Sequence, residues 1–183
     1  MKHIKYFKNY KLNENENNIN KKDDIEFINN YFDIKSIQKY ISEIIELAFS
    51  SMMIEIPGDI IDENLQDKLN EIITSDWDEI PKINNEINII FKSIKKENLS
   101  LVFNYPPYRY KNEIYNIAEI QNFISMDILD YIEEIYSKYD IEIEDSSDII
   151  KDIEYIKECD WDEIPETIDD IKQYLLNEII KDI

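Results

Sequence analysis

Carboxylates are the one abundant kind of group through which this chain could do chemistry, and their spacing is most specific in Asp-Trp-Asp-Glu-Ile-Pro. That hexapeptide stands at Asp76–Pro81 and again at Asp160–Pro165, 84 positions apart, and holds both tryptophans of a 183-residue chain. Acids at i, i+2 and i+3 could share Ca²⁺ or Mg²⁺. However, no glycine stands there to make the bend of a calcium loop, and Glu144, Asp145 and Asp148 form a no more specific set. No metal and no cofactor are expected. An indole ringed by carboxylates can instead stack on an arginine or receive a lysine from a partner. The six residues also fit a helix entrance. Pro81 and Pro165 suit a first turn, where a missing N–H costs nothing. Asp78 and Asp162 suit the N-cap, and Glu79 and Glu163 lie near the positive end of the helix dipole.

Other catalytic material is sparse. The only histidine is His3, so histidine triads and histidine metal sites have no substance. Cys159 precedes the second acidic hexapeptide, where negative charge should raise its pKa and blunt its nucleophilicity. Carboxylate pairs of the glycosidase kind are inevitable among 41 acids and so identify nothing. A single glycine, Gly58, leaves no phosphate-cradling loop. The expected protein is not an enzyme.

The elements that carry these groups are helical. Sheets with tight hairpins use glycine for positive φ, and this chain has almost none. Ile34, Ile37, Ile41, Ile44, Ala48 and Met52 follow helical spacing, as do Ile83, Ile87, Ile90 and Ile94. Asp33 and Asp62 fit N-caps. With the hexapeptides superposed and no gap, Leu65, Leu69 and Ile72 fall on Ile149, Ile153 and Ile156. Ile87, Ile90 and Phe91 fall on Ile171, Tyr174 and Leu175. Upstream, Ile44, Ile45 and Ala48 fall on Ile128, Leu129 and Ile132, and Ser75 falls on Cys159. The connectors Ile54–Ile56 and Ile141–Ile143 sit about three residues out of register, which implies an indel.

The expected fold is therefore mainly α, with two tandem helical units in an internal repeat of about 84 residues packing as one globular body. Residues 1–22 are basic and asparagine-rich and expected to be partly flexible. Residues 23–98 form the first unit and 113–183 the second. Between them, 99–112 is an aromatic, proline-broken linker or short strand, and a small β contribution is expected from residues 4–10 and 99–105. The rings of Tyr131 and Tyr139, in line with Ile135, are expected at the core or its edge.

Charge narrows the partners. Residues 1–98 carry 19 acids and 13 bases, net −6, whereas residues 99–183 carry 22 acids and 7 bases, net −15. Within Asp127–Asp170 there are 18 acids against Lys138, Lys151 and Lys157. Such a field repels nucleic acid and anionic membrane and attracts basic proteins. No apolar run reaches the roughly 18 residues of a membrane span, and MKHIKYFKNYK lacks the apolar stretch of a leader. A single cysteine fits a reducing compartment, so the cytoplasm is expected.

These features lead to an acidic inhibitor of a basic protein, a nuclease or a nucleic-acid-binding protein, whose site it occludes. The expected contacts are Asp130, Glu133, Glu134, Glu142, Glu144, Asp145, Asp148, Asp160, Asp162 and Glu163, with Trp161 as anchor. Trp77 and the aromatic segment with Tyr105, Tyr108, Arg109 and Tyr110 are secondary candidates, because tyrosine and arginine favour interfaces. In size, charge and lack of catalytic groups the chain resembles nuclease immunity proteins and phage-encoded nucleic-acid mimics that block host defence, in general character and not through a shared motif. The rival expectation is a helical-repeat adaptor or chaperone-like module that holds a partner helix in an apolar groove between its units.

Overall fold

The computed structural model describes residues 21–52, 63–97, 114–139 and 148–181. Among them every regular element is helical: α1 (Lys21–Tyr31), α2 (Ile34–Met52), α3 (Glu63–Thr74), α4 (Ile80–Glu97), α5 (Ile117–Tyr139), α6 (Asp148–Tyr155) and α7 (Ile164–Lys181). Two 3₁₀ turns, Trp77–Glu79 and Trp161–Glu163, lead directly into α4 and α7. The fold is mainly α. The segments expected to contribute strand, 4–10 and 99–105, lie outside the described residues, as do the two Ile-x-Ile connectors and Asp62.

Each helix forms for a legible local reason. Asp33 caps α2, its carboxylate accepting the Lys35 N–H at 3.1 Å. At the head of α5, Asn116 and Glu119 exchange side-chain to backbone N–H bonds at 2.9 and 3.0 Å, a capping box. The hexapeptides start their helices two residues earlier than expected. Asp76 and Asp160 occupy the N-cap with extended backbone (φ −72°, ψ 153° and φ −65°, ψ 148°), and Asp78 and Asp162 lie inside the turn. The backbone carbonyls of Asp76 and Asp160 accept the N–H of Glu79 and Glu163 at 3.2 and 3.0 Å, which closes the turn. Pro81 and Pro165 then fall in the first turn of α4 and α7, where proline is tolerated.

Packing repeats in the two halves. Within the first, α2 lies on α3 and α3 on α4; within the second, α5 lies on α6 and α6 on α7. One polar pair in each half stitches the long helix to the short one. Ser42 donates to the Leu69 carbonyl at 3.1 Å, and Ser125 to that of Ile153 at 2.9 Å. Gln38 donates to the Ser75 carbonyl at 3.0 Å, and Gln121 to that of Cys159 at 2.9 Å. The serines and glutamines are 83 residues apart while their acceptors are 84 apart. The long helices therefore correspond one residue out from an ungapped superposition. Ile45 matches Ile128, and Phe49 matches Ile132, all four buried. One extra residue between Ser125 and Ile153, relative to the span from Ser42 to Leu69, accounts for the difference.

The core runs through both halves, from Ile41, Ile45 and Phe49 to Ile128, Ile132 and Ile171. The halves meet where α2 packs on α5, α1 on α7, and one 3₁₀ turn on the other. Two further ties cross the boundary. Asn88 of α4 accepts the buried Ile114 N–H at 2.7 Å and, with Asn84, donates to the Tyr115 carbonyl at 3.1 and 3.0 Å. Replacing Asn88 with Ala strands that N–H in the core. We expect a loss of about 1–3 kcal/mol, read as a lower urea midpoint at unchanged slope.

Candidate functional site

The two hexapeptides come together. The indoles of Trp77 and Trp161 stack with centroids 4.8 Å apart and planes 10° from parallel. Each ring nitrogen donates to the backbone carbonyl of the other tryptophan, Trp77 Nε1 to Trp161 O at 2.8 Å and Trp161 Nε1 to Trp77 O at 2.9 Å. The arrangement is reciprocal, as an interface between identical patches must be. It also explains why both rings are only half buried. Each covers the other on one side and leaves an edge in water. Trp161, expected to anchor a partner, has its donor and one face engaged inside the molecule, and so has Trp77.

Around this stack stand Asp76, Asp78, Glu79, Asp160, Asp162 and Glu163, all exposed. Glu163 has local work: its carboxylate accepts the Tyr155 hydroxyl at 2.8 Å and the Asp160 N–H at 3.3 Å. Cys159, buried beside the turn, has its thiol pushed up by burial and then by the charge of Glu163, Asp160 and Asp162. That is the direction opposite to an activated nucleophile.

The remaining expected contacts lie elsewhere. Asp130, Glu133 and Glu134 are exposed on α5. Gln121, whose amide holds the Cys159 carbonyl beside the turn, precedes Glu133 by twelve residues, which is about 18 Å along the helix axis. The expected site thus divides into two patches, one running from the middle of α5 toward its C-terminal end and one at the turn beside its N-terminal end. Asp148 is exposed at the start of α6 and engaged by Lys151 at 2.8 Å, which holds its carboxyl below the usual range. Glu142, Glu144, Asp145, Tyr105, Tyr108, Arg109 and Tyr110 lie outside the described residues.

The second half has few cations to spare. Lys138 pairs with Asp24, Lys151 with Asp148, Lys157 with Glu154 and Lys172 with Asp169. Asp130, Glu133, Glu134, Asp162, Glu166 and Asp170 form no ion pair among the described residues. Crowding bears on one carboxyl. Asp152 has its carboxyl raised by burial and then by the neighbouring Asp170 and Asp148.

Two polar contacts that spacing does not reveal fasten α1 to α5. Asp24, 6% exposed, is held by the Lys138 ammonium and by the Tyr139 hydroxyl at 2.6 Å. Tyr31 donates to the Asp127 carboxylate at 2.6 Å and lies flat on Tyr131, with centroids 3.7 Å apart. The one hint in the sequence is Lys138 itself, a rare base in the acidic stretch. Among the described residues no three His, Cys, Asp or Glu converge as metal ligands, and no helix is long and apolar enough to cross a membrane. Comparison with protein-family models, with curated proteins and with solved structures finds no match.

Proposed function

We propose that the protein is a non-enzymatic inhibitor whose acidic second half binds a basic nuclease or nucleic-acid-binding protein and covers its nucleic-acid site. The observation that carries this reading is the set of exposed carboxylates on α5, the second 3₁₀ turn and α7. Asp130, Glu133, Glu134, Asp162, Glu166 and Asp170 form no ion pair among the described residues, while Lys151, Lys157 and Lys172 are held by Asp148, Glu154 and Asp169. Fixed on packed helices, such a set presents negative charge without needing to be ordered on binding, and it raises the rate of encounter with a positive surface. The carboxylates of Asp130, Glu133, Glu134, Asp162 and Glu163 are the proposed contacts, with Glu142, Glu144 and Asp145 extending the stretch. The single thiol suits a reducing setting, and the encounter is proposed to occur in the cytoplasm.

Charge is favoured over an apolar groove because Ile89 and Tyr155 are the exposed large apolar side chains among the described residues, and they stand singly. The test is retention of host proteins on the immobilised chain, eluted by salt, with the wild type beside a D130K, E133K, E134K variant. A basic nucleic-acid-binding protein released as the salt rises above roughly 0.3 M, and not retained by the variant, is the expected result. Retention indifferent to both salt and charge reversal refutes the proposal.

A further inference from the structure

We propose that the Tyr31–Asp127 contact is an acid-tightened latch, which fastens α1 to α5 more firmly in mild acid than at neutral pH. The geometry is that of a charge taken partly out of water with one phenol in return. Tyr31 is 4% exposed, and its hydroxyl reaches both the Asp127 carboxylate at 2.6 Å and the Asp127 carbonyl at 3.0 Å. The titratable groups that face Asp127 are Tyr31 from α1, Tyr40 from α2 and Asp130 from its own helix. None is a cation. A half-buried carboxylate balanced by one phenol, with a second carboxylate three residues along, is easier to hold there as the neutral acid.

The corresponding positions in the other half carry apolar residues. On the 83-residue correspondence that matches Gln38 to Gln121 and Ser42 to Ser125, Asp127 stands where the first half has Ile44. Tyr31 stands where the second half has the fully buried Ile114. Two apolar residues occupy the positions at which this joint carries an acid and a phenol. A titrating group therefore sits in an element boundary that apolar side chains could fill.

The sign follows from burial. Desolvation lifts the Asp127 carboxyl to about 6, against a smaller pull downward from the Tyr31 hydrogen bond and a push upward from Asp130. When α1 lifts away, the group returns toward the ordinary carboxylate range near 4. A raised value in the closed form means that stability is complete below the ordinary value and is lost as pH rises through about 6. Between about pH 7.5 and about pH 5, opening of α1 should become roughly tenfold rarer.

Two measurements on the full chain test this. In the wild type, a carbon-13 titration of the Asp127 carboxyl should show a midpoint near 6; a midpoint near 4 overturns the latch. Hydrogen exchange of the α1 amides, corrected for the intrinsic pH dependence of the chemistry, should show the tenfold gain in protection on acidification. D127N, neutral throughout, should be protected at neutral pH as the wild type is in acid, with a flat profile, while the exposed-site control D162N responds as the wild type does. If D127N keeps the wild-type response, the gain comes from general relief of negative charge and the latch is refuted.

Discussion

Trp161→Ala should lower stability by about 2–4 kcal/mol, and Trp77→Ala by a similar amount. For a chain of this length that corresponds to roughly 5–15 °C in Tm. The reason lies in the joint. Each substitution removes a half-buried indole, its stack on the other ring at 4.8 Å, and one of two reciprocal hydrogen bonds. What remains is a tryptophan with one face newly exposed, so the second substitution has less left to break. The double variant should therefore cost clearly less than the sum, a coupling of roughly 1–2 kcal/mol. A docking tryptophan behaves differently. Its removal would leave thermal stability within about 0.5 kcal/mol, as surface substitutions do. Calorimetry of the two single variants and the double variant distinguishes these outcomes.

The second large effect is expected at Lys138. Its ammonium pairs with Asp24, which is 6% exposed and receives one further hydrogen bond, from Tyr139. Lys138→Met leaves a buried carboxylate with a single neutral donor, and we expect a loss of about 2–4 kcal/mol. The lysine stem is partly in water, which keeps the figure below that of a fully enclosed pair. Replacing both partners with apolar residues, D24L with K138M, should recover most of the loss, because the stranded charge and not the absent attraction is what destabilises. Urea unfolding of the single and double variants measures this. If K138M alone were neutral, the ion pair would contribute nothing measurable and α1 would be held by its apolar face, its rings and the Tyr31–Asp127 bond.

The sequence carried the helices well and their meeting poorly, for a physical reason that particular residues show. Leu65, Leu69 and Ile72, and their counterparts Ile149, Ile153 and Ile156, are all buried, because a helix writes its inward face into local periodicity. Proline after the hexapeptide turn marks a helix start for an equally local reason. Stacking of Trp77 on Trp161 depends on where two distant turns come to rest, and no periodicity encodes that. The same holds for Tyr31 on Asp127 and Asp24 on Lys138, contacts about a hundred residues apart in the chain. A subtler signal was present. Gln38 and Ser42, spaced four apart on an otherwise apolar stripe, reappear as Gln121 and Ser125. Polar residues on a buried face must satisfy their hydrogen bonds, and this pair fixes the one-residue shift that isoleucine, interchangeable from turn to turn, could not.

Charge was legible in amount but not in arrangement. The acid excess of residues 127–170 is plain from the sequence. That the carboxylates of α5 and those of the 3₁₀ turn form two separate patches is not, since it depends on where a distant turn comes to rest beside α5. Nor does the sequence indicate that lysines three residues from an acid, such as Lys151 and Lys157, are held by it. The two tryptophans stack across the halves and the carboxylates face outward, which is why the proposed contacts are carboxylates and not the indoles.

The most direct test of that division is the circular dichroism of the indole bands in the full chain. The two tryptophans are the only ones present, and stacked at 4.8 Å their transitions should couple into a paired positive and negative band. The couplet should vanish in both W77F and W161F, each of which retains a folded helical spectrum. A wild-type spectrum equal to the sum of two independent tryptophan contributions would contradict the joint, and would return Trp161 to the surface as a docking residue.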